Sequence, residues 1–324
     1  MDVLIVEPLD ADVLHWLGAR HALQFAPELA QDLTAFRAAL AGVRAMIIPP
    51  SVPVDASVLQ RAPRLRAVGR LSVGSENIDL EACELAGVEV VRPSNASASS
   101  EAEFVIGALL QLLRRVPVLS GEGLLVGREL GGTTVGVAGM TPAVKPLVNL
   151  LTAFGARVLG YDPSVHATDS IWARSGLEPV ALRELMQTCD AVCVLLPFYQ
   201  RYIGLFGDRV LAAAKPNQVL VSLAHSSLFD ERALAHALTE GPLAAAWFDC
   251  LEPGALDPGR PLRHIDTLQV TPRVSGTTLE SRVRSAWSVA RRIDDLLATA
   301  PARRSFRPTR PDEFAGLGGG PGPV

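Results

Sequence analysis

The residues best placed to do chemistry begin at Gly139. Residues 135–138 read as a short apolar strand, Gly139 follows it, GMTPAVKPLVNLLTAFGA reads as a turn and a helix, and RVLGYDP supplies a second strand ending at Asp162. That is the order of a dinucleotide site. A glycine turn lets backbone approach a pyrophosphate at a helix N-terminus, and an acid about twenty residues on takes the ribose hydroxyls. An acid at Asp162 would also repel a 2′-phosphate, so the expected cofactor is NAD rather than NADP. Followed by Pro163, the same Asp162 has a second reading as the start of a turn. The glycine pattern is depleted: in the register that starts at Gly139, Thr141 stands where the second glycine belongs and Val144 where the third does. Thr141 is expected to cap the helix and offer its hydroxyl to a phosphate, with Pro142 at the first helical position. A Rossmann-type domain whose phosphate site has decayed is the competing reading.

Other reactive side chains are less organised. Cys83, Cys189, Cys193 and Cys250 form no Cys-x-x-Cys pair and have no histidine at zinc-ligand spacing, so the expectation is no metal and four buried, reduced thiols. His15, His21, His166, His236 and His264 have no context beyond a surface or core position.

These residues need a scaffold. Short β-branched runs at 3–6, 45–48, 67–71, 88–91, 134–138, 157–161, 191–196, 218–222, 244–248 and 268–271 alternate with helical patterns, and few of them alternate polar with apolar. Strands of that kind belong to parallel sheets covered on both faces. Two longer helical patterns, 99–116 and 277–297, divide the series. The first opens with Glu101 and Glu103 and ends with Arg114 and Arg115, as a helix dipole favours. With these helices as crossings, the expected domains are a discontinuous one of residues 1–98 plus 290–324 and an inserted dinucleotide-binding one of 99–289. The Pro- and Gly-rich end, 303–324, is expected to be a mobile tail.

At 324 residues, 48% hydrophobic and 20% charged, the chain can fill two cores. A formal net charge of −4 gives no field that recruits nucleic acid or an anionic membrane. The acidic start differs from a signal peptide, and the apolar stretch 104–118 is broken by Gln111, Arg114 and Arg115, so a cytoplasmic protein without membrane or nucleic-acid partners is expected.

From residue 65 onward the chain resembles the D-isomer-specific 2-hydroxyacid dehydrogenases. The segments are RAVGRLSVGSENIDLEACELAGVEV, TVGVAG with YDP, CDAVCVLLP, KPNQVLVSLAHSSLFDERALAHAL, AAAWFDCLEP and LQVTPRVSGTT, in the family's order over residues 65–297. The resemblance implies an α/β fold of two Rossmann-like doubly wound parallel-sheet domains with a cleft between them. It implies a flavodoxin-like substrate domain from the chain ends and a small 2-keto or 2-hydroxy acid as substrate. It further implies a substrate carboxylate held at the turn Ser72, Val73 and Gly74 beside Arg70, and a cofactor held by Gly139, Thr141, Pro142, Asp162, Pro197, Ala224 and Asp249. Family members are usually dimers, and the apolar residues 104–113 suit such a contact or the core equally.

The catalytic positions depart from the family. Its arginine position holds His225, its acid–base histidine position after Thr271 and Pro272 holds Arg273, and its orienting glutamate position holds Gly254, with Glu252 two residues early. Guanidinium stays charged and cannot donate a proton, whereas imidazole ordinarily titrates near neutrality. One expectation is therefore an exchange, with His225 as acid–base and Arg273 as electrostatic clamp, the histidine lacking its usual orienter and the product's handedness open to inversion. The alternative is a catalytically inactive nucleotide-binding or regulatory protein on the same fold.

Overall fold

The computed structural model describes residues 1–298 apart from 73, 94, 116, 117 and 120, with 118 and 119 as backbone only. The substrate-side turn residue Val73 and the tail 303–324 lie outside the described residues.

Two parallel sheets carry the chain. The first runs β1 (Val3–Ile5), β2 (Leu23–Phe25), β3 (Ala45–Ile47), β4 (Ala67–Gly69) and β5 (Glu89–Val91), in the spatial order β2-β1-β3-β4-β5. A small antiparallel hairpin follows, β6 (Val118–Leu119) with β7 (Leu125–Val126). The second sheet comprises β8 (Thr134–Ala138), β9 (Arg157–Tyr161), β10 (Glu178–Pro179), β11 (Ala191–Val194), β12 (Gln218–Ser222), β13 (Leu243–Phe248) and β14 (Leu268–Val270). Its order is β10-β9-β8-β11-β12-β13-β14, every pair parallel. Each sheet is doubly wound.

The apolar runs make these strands because helices cover both faces. β1, β3, β4, β11 and β12 are buried at every position, which explains why their sequences lack a polar/apolar alternation. The helices between them start on carboxylates: Asp10, Asp32, Asp55, Asp79, Asp169 and Asp230 each accept a backbone N–H of the first turn. The helix Ala98–Arg115 buries Ala102, Val105, Leu109 and Leu112 against the second sheet. The helix Leu279–Ala298 returns to the first, packing Ala286, Val289, Ala290 and Ile293 on it. Gly69 of β4 permits that approach, since a Cβ there would sit 2.6 Å from Val289 Cγ1.

All ten expected strands form, several one or two residues shorter. β2, β6, β7 and β10 were not expected. They are two or three residues long; β2 is a largely exposed edge and β10 contains Pro179, a residue tolerated only on sheet edges. Where β8 is flanked by β9 and β11 the winding reverses, and an open α/β sheet holds its ligand outside the strand ends at such a point. The chain places Gly139 and residues 195–198 there.

Candidate functional site

A cleft of about 750 Å³ opens at the carboxyl ends of both sheets. Arg70, Ser72 and Gly74 line it from the first sheet, Thr141, Pro197 and Phe198 from the switch point, and Ala224, His225, Asp249, Glu252 and Arg273 from the loops after β12, β13 and β14.

Gly139 has φ +115°, a conformation that L side chains rarely adopt, and a Cβ there would lie 2.5 Å from Leu196 N. The turn after β8 thus presses on the end of β11. Thr141 does not cap the helix. The helix runs Val144–Ala153 with Ala143 as its uncapped N-cap residue, and Val144 N–H donates to the Thr141 carbonyl at 3.0 Å. The reason is that the extended turn uses up two more residues than the expected register allows, leaving Pro142 exposed ahead of the helix. Thr141 Oγ1 is left buried with no hydrogen-bond partner, on a residue that lines the cleft.

Asp162 takes the second of its sequence readings, the start of a turn. One carboxylate oxygen accepts Met140 N–H at 2.8 Å and the other accepts Ser164 N–H at 2.8 Å and Ser164 Oγ at 2.6 Å. It starts a turn and ties that turn to the glycine loop. Asp249 is 3% exposed, and its carboxylate accepts Thr271 Oγ1 (2.6 Å), Val274 N–H and Ser275 N–H (both 2.8 Å). Its visible work is to fold the loop after β14 that presents Arg273.

That loop is conformationally tense. Arg273 has φ +57° and Cys250, opposite it, φ +117°, both in the left-handed half of the map where a β-carbon is disfavoured. Arg273 Nη2 lies 3.9 Å from Cys250 Sγ. Cys250 is half-buried and lines the cleft, whereas Cys83, Cys189 and Cys193 are buried, so the expectation of four buried thiols holds for three. Cys250 differs because it follows β13 directly, where the strand has already left the core.

His225 is the best-connected of the catalytic candidates. Its Nε2 stands 2.8 Å from Glu252 Oε1, and its Nδ1 stands 2.7 Å from Ser227 Oγ and accepts Ser227 N–H at 3.3 Å. With Nδ1 accepting from backbone, the neutral ring carries its proton on Nε2, toward Glu252. The Phe198 ring covers the imidazole at 4.5 Å between centroids. The expected lack of an orienter is thus corrected: Glu252 supplies the carboxylate, because the bend at Cys250 turns the chain after β13 back toward β12. Ser226 Oγ accepts Glu252 N–H at 3.1 Å and pins that approach.

On the first sheet, Arg70 is 1% exposed and donates to Asn77 Oδ1 and, at 2.8 Å, to Ser72 Oγ, while its Nε is buried without a partner. Burial lowers its pKa, and the nearby charges of Glu7 and Glu76 oppose that. Burial likewise pushes the Glu7 carboxyl up, against the pull of Arg282 and Arg70 and a backbone N–H from Leu71. Glu252, Phe198, Glu7 and Arg282 carried no strong sequence signal; the one available was the carboxylate two residues short of its expected place. Among the described residues no cluster of His, Cys, Asp and Glu could hold a metal ion, and no helix is long and apolar enough to cross a membrane.

A doubly wound sheet with a glycine-bent switch point, facing a second sheet across a cleft lined by imidazole, carboxylate and guanidinium, is the two-domain Rossmann-like architecture of the 2-hydroxyacid dehydrogenase fold. Residues 110–275 match the profile of the D-isomer specific 2-hydroxyacid dehydrogenase, NAD binding domain. The chain is 33% identical over 294 residues to the (S)-sulfolactate dehydrogenase of Chromohalobacter salexigens, covering 88% of this chain and 95% of that one. It is 31% identical over 306 residues to the D-3-phosphoglycerate dehydrogenase of Mycobacterium tuberculosis, covering 91% of this chain and spanning 57% of that protein. In fold it is like a D-2-hydroxyisocaproate dehydrogenase (TM-score 0.73, 20% identity, 92% and 97% covered). It is likewise similar to the formate dehydrogenase of Staphylococcus aureus solved with NAD (TM-score 0.69, 23% identity, 92% and 95% covered). The chain belongs to the D-isomer-specific 2-hydroxyacid dehydrogenase family.

Proposed function

We propose that the chain is an NAD-dependent, cytoplasmic oxidoreductase of a small 2-keto or 2-hydroxy acid in which imidazole and guanidinium have exchanged places. The observation that carries this reading is the 2.8 Å contact of His225 Nε2 with Glu252 Oε1 on the wall of the cleft that Arg273 also lines. A carboxylate beside an acid–base histidine fixes ring orientation and steadies the imidazolium. His21 makes a similar contact with Asp294, so it is the place of the His225 pair on the cleft wall that carries the reading.

The residues present fit a dinucleotide. Thr141 Oγ1 is a buried hydroxyl without a partner on a residue that lines the cleft, beside the glycine bend that packs against residues 195–196. We propose that Gly139, Thr141, Pro142, Pro197 and Ala224 hold it, that Asp162 sets NAD over NADP, and that Asp249 acts by positioning the loop of Arg273. When bound, the nicotinamide supplies or takes a hydride. The chain's own part is to hold the substrate carboxylate at Ser72–Gly74 beside Arg70, to place the Arg273 charge near the carbonyl, and to exchange a proton at His225 Nε2, the ring passing between imidazolium and the neutral form that keeps its proton on Nδ1 toward Ser227 Oγ, a tautomer other than that of the resting ring. Glu252, with half its side chain exposed, can move off Nε2 to admit the substrate oxygen and return to the ring afterwards.

We further propose that residues 1–98 with the chain's C-terminal end form the substrate domain and the segment between them the nucleotide domain; the boundary expected at 290 falls inside the helix Leu279–Ala298, whose Ala286 and Val289 already pack on the first sheet. The exposed Leu110, Leu125 and Val126 suit a homodimer contact, to be checked by light scattering.

The test has two stages. NADH and NADPH are titrated against the protein with tryptophan fluorescence as readout, NADH being expected to saturate at lower concentration. Turnover on a panel of 2-keto acids is then expected to fall by about a hundred- to ten-thousand-fold in His225→Ala and to drop clearly in Arg273→Ala. Glu252→Gln should lower kcat more than it changes KM. Absence of binding of either nucleotide, or residual turnover unchanged in both alanine variants, would select the non-catalytic alternative. That alternative draws support from Asp162 and both His225 nitrogens being already partnered within the chain.

A further inference from the structure

Behind the His225–Glu252 pair lies a second cavity of about 190 Å³, separated from the cleft by Ser226 and Glu252, which line both. Its body is apolar, with Phe229 and Phe248 in an edge-to-face pair and Leu234 and Leu262 beside them. Its charge is not balanced. Glu231 and Glu252 contribute two carboxylates and Arg260 one guanidinium. Arg260 bonds only Glu231 Oε2, while Glu231 Oε1 is buried with no hydrogen-bond partner. Glu231 opens the helix Glu231–Thr239 and is held by Arg260 through one carboxylate oxygen. A buried ionised acceptor without a donor is costly, and a guest that brings a cationic donor on an apolar body meets both halves of the cavity.

We propose that this cavity is a binding site for a small primary ammonium ion with an aromatic or branched aliphatic body, its ammonium donating to Glu231 Oε1. Size sets the class. A cavity of about 150 Å³ is known to take benzene, so this one admits a ring with about one or two further heavy atoms. Edge-on contact with Phe229 and Phe248 suits an aromatic ring. Because Glu252 forms part of the partition, an ammonium here also competes with His225 for that carboxylate, so occupancy lowers turnover. This consequence rests on the proposed role of His225, whereas binding itself does not.

The probe is benzylamine, compared with benzyl alcohol and benzoate, titrated into the full chain at neutral pH and followed by saturation-transfer NMR and calorimetry, with no turnover needed. Benzylamine is expected to bind with Kd on the order of 1 mM, benzyl alcohol roughly tenfold more weakly and benzoate not at all. Glu231→Gln should erase the preference for the amine. Arg260→Gln, which frees the second Glu231 oxygen, should tighten the amine several-fold, and Ala255→Phe at the cavity wall should block all three. Equal affinity for the amine and the alcohol, no binding of either, or an amine preference that survives Glu231→Gln overturns the proposal. An enzyme that turns over 2-keto acids yet ignores benzylamine refutes this site alone; amine binding without turnover refutes only the dehydrogenase reading.

Discussion

Thr141→Val is the substitution for which the cradle predicts opposite signs in two measurements. Valine keeps the branched shape and deletes only the hydroxyl, and that hydroxyl is buried without a hydrogen-bond partner. A buried unsatisfied polar group costs about 1–3 kcal/mol, so its removal should stabilise the ligand-free protein by about 1–2 kcal/mol. In a domain of this size that is a rise in Tm of roughly 2–8 °C. If the same hydroxyl serves a phosphate oxygen, the variant loses a hydrogen bond to a charged group, about 1.5–3 kcal/mol, and NADH binds roughly ten- to a hundredfold more weakly. Calorimetric melting of the ligand-free protein and fluorescence titration with NADH read the two effects separately. A lowered Tm would mean that the hydroxyl is satisfied within the fold. An unchanged NADH affinity would mean that it faces no phosphate, and either result breaks the argument for the cradle.

Further outcomes follow from the same geometry. Gly139→Ala forces a β-carbon to 2.5 Å from Leu196 N at a positive φ, so melting should show a loss of about 2–4 kcal/mol, and a change below 1 kcal/mol would contradict the bend. Because burial holds the Glu7 carboxyl above its ordinary range, the native state binds that proton more tightly than the unfolded chain does. Its contribution is present below the unfolded pKa and lost as pH rises through the native one. The Tm of Glu7→Gln relative to the parent should therefore climb as pH rises above the ordinary glutamate pKa of about 4.3, and a falling difference would reverse the sign. Iodoacetamide should modify Cys250 in the native protein and spare Cys189, whose thiol burial pushes up to about 12, and Cys193, pushed higher still. Peptide mass spectrometry showing Cys193 alkylated as fast as Cys250 would overturn that order.

Much of the scaffold could be read without coordinates, for an identifiable reason. A parallel strand covered on both faces must be apolar throughout, so the runs that became β3, β8, β11 and β12 announce themselves. Two long helical patterns, the first with an acidic start, mark where the chain crosses between sheets. The edge strands β2 and β10 stayed hidden, since two or three residues with one exposed face leave no pattern to see.

At the site, residue type and spacing pointed to Gly139 and Asp162, and the resemblance to the family pointed to His225 and Arg273. What they touch was decided by folding. The pairing of β12 with β13, followed by the sharp turn at Cys250, brings Glu252 onto His225 across twenty-seven positions of chain, and the few extra residues in the turn after β8 release Thr141 from the helix it was expected to cap. Local sequence governs which groups are available; contacts between loops from different strands depend on strand order and turn geometry, which exist only once the sheet is assembled.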